Sequence, residues 1–247
     1  MRMRKQGHII QLSFLPRLFP VNCYFVEEEN ELTLVDAALP YSAARILKAA
    51  KQIGKPITRI LLTHAHGDHI GALDALKQEL PHAKVMISAR DAKLLQGNCS
   101  LEAGEAATPI RGDVPKEGAI RTKPDVLLQD GQMVGSLRAV LAPGHTPGMM
   151  AFYDTRDGAL IAGDAFQIRG GIAVSGMIKP LFPFPAMATW NNEAALASAI
   201  KLRALQPTLL AVGHGVMLMK PTSQMDCAIQ EAERKWGAVS MSGKAVK

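Results

Sequence analysis

The run Leu61-Leu62-Thr63-His64-Ala65-His66-Gly67-Asp68-His69 limits what this chain can become more than any other stretch. It puts three imidazoles and a carboxylate within six residues, directly after an apolar segment. Neutral imidazole nitrogen and carboxylate oxygen suit zinc and its divalent neighbours. Residues 59–63, rich in Ile and Leu, read as a short buried strand. Ile70, Leu73, Leu76 and Leu80 then recur at helical spacing, so the cluster sits on a turn between strand and helix. In an extended segment residues two apart face the same way, so His64 and His66 can share one ion. Asp68 and His69 open the helix and point elsewhere, which leaves room for a second ion beside the first.

The chain has 247 residues, enough for a full hydrophobic core, and one domain over 1–247 is expected. Hydrophobic residues make up 48% and charged residues 20%, which excludes a disordered chain. The net charge of +6 contains no run of five like charges and reads as a solvated surface; its functional alternative is attraction of an anionic substrate. Basic clusters are short, Arg2, Arg4 and Lys5 at one end and Lys244 and Lys247 at the other, so nucleic acid is not an expected partner. Cys23, Cys99 and Cys227 are far apart and odd in number, as free thiols of a cytosolic protein would be. The apolar stretch after the basic start is broken by Gln11, Pro16, Arg17 and Pro20, unlike a signal peptide. No apolar run reaches the length of a membrane span. A soluble, cytoplasmic protein without a membrane partner is expected.

In chain order, residues 8–14, 22–26 and 31–35 read as strands, the last two forming a hairpin around Glu27-Glu28-Glu29-Asn30. A helix over 42–53 stops at Gly54. Further strands are expected at 84–88, 126–128, 137–141, 150–153, 159–161 and 208–212, and helices at 89–95, 191–205 and 221–236. Residues 97–124 and 167–190 carry Gly, Pro and little periodicity, and long loops in a compact domain usually have a function. We read the first as a wall of a substrate cleft. The second is apolar as well, and either packs on the body or covers a pocket. Strands mixed with helices, twice over, fit two packed sheets with helices outside.

Three more candidates follow apolar strands at Gly-containing turns: His145 in Pro143-Gly144-His145-Thr146-Pro147-Gly148, Asp164 in Gly163-Asp164, and His214 in Gly213-His214-Gly215. His8 and His82 fit no pattern and read as structural. Together the pattern H-x-H-x-D-H, the later Gly-His-Thr, the Gly-Asp and the late His resembles the metallo-β-lactamase superfamily over most of the chain. That resemblance implies an αββα sandwich, an α+β fold of two mixed sheets flanked by helices, with the site at one edge. It implies His64, His66 and His145 on a first metal, Asp68, His69 and His214 on a second, and Asp164 bridging them. Asp36, ending an early strand, is either a turn residue or a partner that orients a ligand histidine.

The same resemblance implies a hydrolase that uses hydroxide held by two divalent ions, zinc foremost and iron or manganese also compatible, on a small ester, thioester or lactone. Asp68 would orient the nucleophile and carry the proton to the leaving group. The bridging Asp is similar to the glyoxalase II and lactonase branches. Gln167 stands where those lactonases carry Tyr, three residues after the bridging Asp. The alternatives are a mono-iron persulfide dioxygenase, which uses two His and one Asp, and a phosphodiesterase or nuclease. Arg111, Arg169 or Lys179 would hold a substrate carboxylate if one is present. The apolar 167–190 loop equally suits a homodimer contact.

Overall fold

The computed structural model describes residues 1–242, with side chains as far as residue 237. Lys244 and Lys247 lie outside the described residues. The first half forms β1 (Arg2–Gln6), β2 (Ile9–Phe14), β3 (Val21–Glu27), β4 (Leu32–Val35), α1 (Ala43–Ile53), β5 (Ile57–Leu61), α2 (Gly67–Ile70), α3 (Leu73–Glu79), β6 (Lys84–Ser88), α4 (Ala89–Leu95) and β7 (Val126–Leu128). Its strands make one sheet in sequence order, antiparallel from β1 to β4 and parallel from β4 to β7. The second half forms β8 (Met133–Val134), β9 (Leu137–Leu141), β10 (Met150–Asp154), β11 (Ala159–Ile161), β12 (Phe166–Gln167), β13 (Ala173–Val174), α5 (Phe184–Met187), α6 (Asn192–Ala204), β14 (Leu209–Ala211), β15 (Leu218–Met219) and α7 (Thr222–Ser242). Here the sheet order is β15-β14-β11-β10-β9-β8, and β12 and β13 pair separately.

Alternation along the strands explains why the sheets stack. On β2, Ile10, Leu12 and Phe14 join Ile46, Ala49, Leu73, Leu76 and Leu94 of the helices outside the first sheet. Ile9 points the other way and meets strand residues of the second sheet, Leu137, Phe152 and Ile161. A third cluster joins Val140, Leu160 and Leu210 to Ala195, Ala199, Leu202 and Met225 of α6 and α7. Three apolar layers between helix, sheet, sheet and helix give the four-layer α+β sandwich. Each fully buried Leu or Ile contributes about 1.5–3 kcal/mol by leaving water.

Two local differences from the sequence expectation have physical causes. β1 is an added strand of five exposed residues, with no apolar alternation to announce it, and only its backbone pairing to β2 makes it one. The helix after the histidine cluster is divided into α2 and α3. Gly71 donates its amide to Ala38 O instead of an intrahelical carbonyl, and a Cβ there would strike Pro40.

Residues 97–124 form no helix or strand but are tied down. The Asp74 carboxylate on α3 accepts from Arg121 N at 3.0 Å, Thr122 N at 2.8 Å and Thr122 Oγ1 at 2.6 Å. Partial burial pushes this carboxyl up, but the hydrogen bonds outweigh it and hold it below its ordinary value of 3.8. The folded state therefore binds this proton more weakly than the unfolded one, so the contribution is complete above the ordinary value and is lost as pH falls through the lowered one. Asp74→Ala should cost about 1–2 kcal/mol at pH 7. The cost should shrink towards pH 3, as urea melts at both pH values would measure.

Candidate metal centre

The sandwich brings four strand ends to one edge. The His64–His69 turn follows β5, His145 follows β9, Asp164 follows β11 and His214 follows β14. The two sheets are stitched there, with Met150 N donating to Thr63 O at 2.8 Å and Asn22 N donating to Gly213 O at 3.0 Å. Gly213 has a steric reason to be glycine. A Cβ at this position would run into Asp164 Oδ1 and the His69 ring.

The seven sequence candidates converge. Donor atoms of His64, His66 and His145 lie within 4.8 Å of one another, as do those of Asp68, His69 and His214. His66 Nδ1 faces His145 Nε2 at 3.0 Å. Asp164 reaches both groups, with Oδ2 3.5 Å from His145 Nε2 and 3.1 Å from His214 Nε2, and Oδ1 3.5 Å from His69 Nε2. Asp68 Oδ2 lies 3.3 Å from His214 Nε2. His8 and His82 are exposed and stay outside the cluster.

Each of the five clustered imidazoles is held by its other nitrogen. His64 Nδ1 meets Thr63 Oγ1 at 3.0 Å, and His66 Nε2 donates to Arg111 O at 2.9 Å. His69 Nδ1 donates to Asp36 Oδ2 at 2.8 Å, and His214 Nδ1 to Pro20 O at 2.8 Å. His145 Nδ1 lies 3.0 Å from Ser175 Oγ and 3.3 Å from Thr189 Oγ1. Such partners fix the tautomer and aim the remaining lone pair. The inward atoms His64 Nε2, His69 Nε2 and Asp164 Oδ1 are buried with no hydrogen-bond partner. Leaving buried polar atoms unpaired costs about 1–3 kcal/mol each. A cation is the partner whose chemistry suits nitrogen lone pairs and carboxylates together.

Electrostatics divides the cluster. Burial holds His64, His66 and His145 below the ordinary imidazole range, so these rings are neutral donors. Burial presses on His69 and His214 in the same direction. The carboxylates of Asp36, Asp164 and Asp68 overcome it at His69, and those of Asp164 and Asp68 at His214, and both rings rise. Burial would raise the Asp164 carboxyl, but His214 and His69 hold it well down, so it is ionised.

One supporting residue had no sequence signal. Asp91, in the first turn of α4, is fully buried. It accepts from Ala65 N at 3.1 Å, Thr146 Oγ1 at 2.7 Å and Gly148 N at 2.8 Å, tying the turns of His64, His66 and His145 together. Its burial pushes the carboxyl up to about 6 despite these bonds.

The family model described as the metallo-beta-lactamase superfamily matches residues 16–214. This chain belongs to that superfamily. Among similar proteins, the uncharacterised protein YobT of Bacillus subtilis strain 168 is 60% identical, over 95% of this chain and 100% of YobT. A hydroxyacylglutathione hydrolase of Cereibacter sphaeroides is 31% identical over 83% of this chain and 66% of the relative. The solved structure of TTHA1623 in a di-iron-bound form is 26% identical with a TM-score of 0.62, over 86% of this chain and 96% of that one. No helix among the described residues is long and apolar enough to cross a membrane.

The cluster opens into a cavity of about 340 Å³. Both irregular segments line it, residues 97–124 through Asp113 and residues 167–190 through Phe184, Pro185 and Ala188. Phe19, from the β2–β3 loop, completes the wall. Its ring is 5.0 Å from Phe182, 5.2 Å from Phe184 and 5.3 Å from His214. None of Arg111, Arg169 and Lys179 lines this cavity. Arg111 offers its carbonyl to His66, Lys179 pairs with Glu231 at 2.7 Å, and Arg169 lines a different cleft.

Proposed function

We propose that this chain is a metal-dependent hydrolase that cleaves a neutral ester, thioester or lactone with an apolar acyl part. Two divalent ions, zinc foremost, would be held by His64, His66 and His145 on one side and Asp68, His69 and His214 on the other, with Asp164 between. The observation that carries this reading is the convergence of these seven side chains, five of which (His66, Asp68, His145, Asp164 and His214) line a cavity walled by Phe19 and Phe184. When bound, such ions supply Lewis acidity, polarising a carbonyl and lowering the pKa of water towards neutrality.

The chain's own residues supply the rest. Phe19, Phe184 and Pro185 cover the acyl part and exclude water around the scissile bond. Asp68 is about a quarter exposed, at 24%, and opens into the cavity. Its carboxylate orients the attacking water, takes its proton and delivers it to the leaving oxygen or sulfur. Thr63, Asp36, Pro20, Ser175, Thr189 and the Arg111 carbonyl hold the imidazoles so that none must reorient during turnover.

Substrate charge follows from the lining. Among the described residues, Asp68 and Asp113 are its only ionisable side chains apart from Asp164 and the histidines, and no Lys or Arg lines the cavity. A substrate carboxylate would find no cationic side chain. Acid release at constant pH by the zinc-loaded protein tests this on an acyl homoserine lactone, a glutathione thioester, a cephalosporin and a phosphodiester. The neutral lactone should turn over with the largest kcat/KM. A faster glutathione thioester would overturn the charge argument, and a faster phosphodiester the acyl reading. The di-iron form of TTHA1623 supports repeating the assay with iron. Oxygen uptake on a persulfide by the iron protein would favour the dioxygenase alternative.

A further inference from the structure

A second cleft backs onto the metal centre. It measures about 230 Å³ and lies on the sandwich flank where β1 and β2 pass the turn after β14. The β1–β2 register builds one wall. Arg2 pairs with Ser13 and Arg4 with Gln11, so alternate residues of both strands face the same side. Arg169 and Gly215 close the opposite wall. An adjoining hollow, lined by Arg2, Arg17 and Leu18, extends it outward.

The charge in this place is one-sided. No Asp or Glu lines either hollow. The guanidinium groups of Arg2, Arg4 and Arg17 have no ion pair or hydrogen bond among the described residues, and that of Arg169 has only the Arg17 carbonyl, at 2.7 Å. Elsewhere among the described residues Arg59, Arg90, Arg156 and Arg203 pair with carboxylates, while Arg138 lies over the Tyr153 ring. The floor is polar too. Gln11 and Ser13 are 2% and 6% exposed, and the Ser13 hydroxyl has no hydrogen-bond partner among the described residues. Gln11 donates to Gly215 O at 2.9 Å. Arginines without acid partners around a polar floor leave their guanidinium donors available to a tetrahedral oxyanion.

We propose that this cleft binds a phosphate group, either of a free phosphate ester or of an anionic lipid headgroup, at a site separate from the metal centre. The two sites share a wall. Pro20 lines the cleft, its carbonyl holds His214 Nδ1, and Gly215 follows His214. A bound phosphate would therefore press on the backbone that aims His214. The exposed Leu15 and Leu18, at 45% and 79%, flank the outer hollow and give the lipid source its apolar edge.

The test compares the metal-loaded parent with the double variant R4Q/R169Q, which leaves every proposed metal ligand in place. Inorganic phosphate is titrated calorimetrically, and binding to vesicles of phosphatidylcholine with and without phosphatidylglycerol is measured by sedimentation. Phosphate held by the metals is common to both proteins, so the difference reads the cleft. Losing one phosphate-binding event, or weakening it roughly tenfold per guanidinium removed, supports the proposal with a free ester as source. Losing phosphatidylglycerol-dependent sedimentation supports it with a headgroup as source. Identical behaviour of the two proteins in both arms, with equal metal content and melting temperature, overturns it.

Discussion

Asp164→Ala protein will fold, lose its metal and hydrolyse nothing. Among the described residues Asp164 is the one side chain whose oxygens approach both donor groups, 3.1 Å from His214, 3.5 Å from His145 and 3.5 Å from His69. Removing it takes an anionic oxygen from each proposed site at once. Two oxygens of one carboxylate also set the spacing between the groups, which no imidazole can replace. On the proposed reading, loss of the ions would remove several kcal/mol of transition-state stabilisation, so kcat/KM should fall at least roughly a thousandfold. His64→Ala deletes an unpartnered buried nitrogen and should match it on the first site.

Two readouts separate this from simple misfolding. Metal content after gel filtration should drop in both variants while circular dichroism stays native. Chelator should lower the melting temperature of the parent and leave that of Asp164→Ala unchanged. At metal a hundredfold above Kd the linkage is about 2.7 kcal/mol, large enough to read in a melt. An Asp164→Ala protein with parental metal content and turnover would sink the assignment of these residues.

The candidate site was legible in the sequence where its residues are local or carry their own punctuation. His64, His66, Asp68 and His69 sit within six residues, and His145, Asp164 and His214 each follow an apolar strand at a glycine turn. Residues that act across the fold left no such mark. Asp91 reads as an ordinary first-turn acid of a surface helix. Only the parallel pairing of β5 with β6 slides it beneath Ala65. Phe19 sits in a Pro- and Arg-broken loop, where nothing in the local pattern says that the chain returns to cover His214. β1 was hidden for the opposite reason, since an exposed basic edge strand needs no apolar alternation. The same blindness hid the arginine cleft. Arg2 and Arg4 read as a scattered basic terminus until the register with Gln11 and Ser13 faced them towards Arg169.

Asp36→Asn should separate the fold from the metal site more sharply than any ligand substitution. Asp36 is buried, with φ +63°, a left-handed conformation that Asp tolerates better than most residues. One oxygen accepts Thr63 N at 2.7 Å, and the other accepts Thr63 Oγ1 at 2.9 Å and His69 Nδ1 at 2.8 Å. Asp36→Ala leaves Thr63 N–H and His69 Nδ1–H unpaired in the interior, about 1–3 kcal/mol each, so it should destabilise heavily and lose metal as well. Asn keeps the shape and can still accept from Thr63 N. Its amide, however, would donate to His69 Nδ1 and move the imidazole proton to Nε2, the atom aimed at Asp164 and Asp68. The ring would then present a proton where a lone pair is needed. Metal affinity should fall 10–100-fold, the usual loss when the partner orienting a ligand histidine is changed. The melting temperature of the chelator-treated protein should stay near that of the chelator-treated parent. Competition with a zinc-binding dye measures the first quantity and a thermal melt the second. Parental affinity in the Asn variant would mean that Asp36 supports Thr63 alone and that His69 takes no part in holding metal.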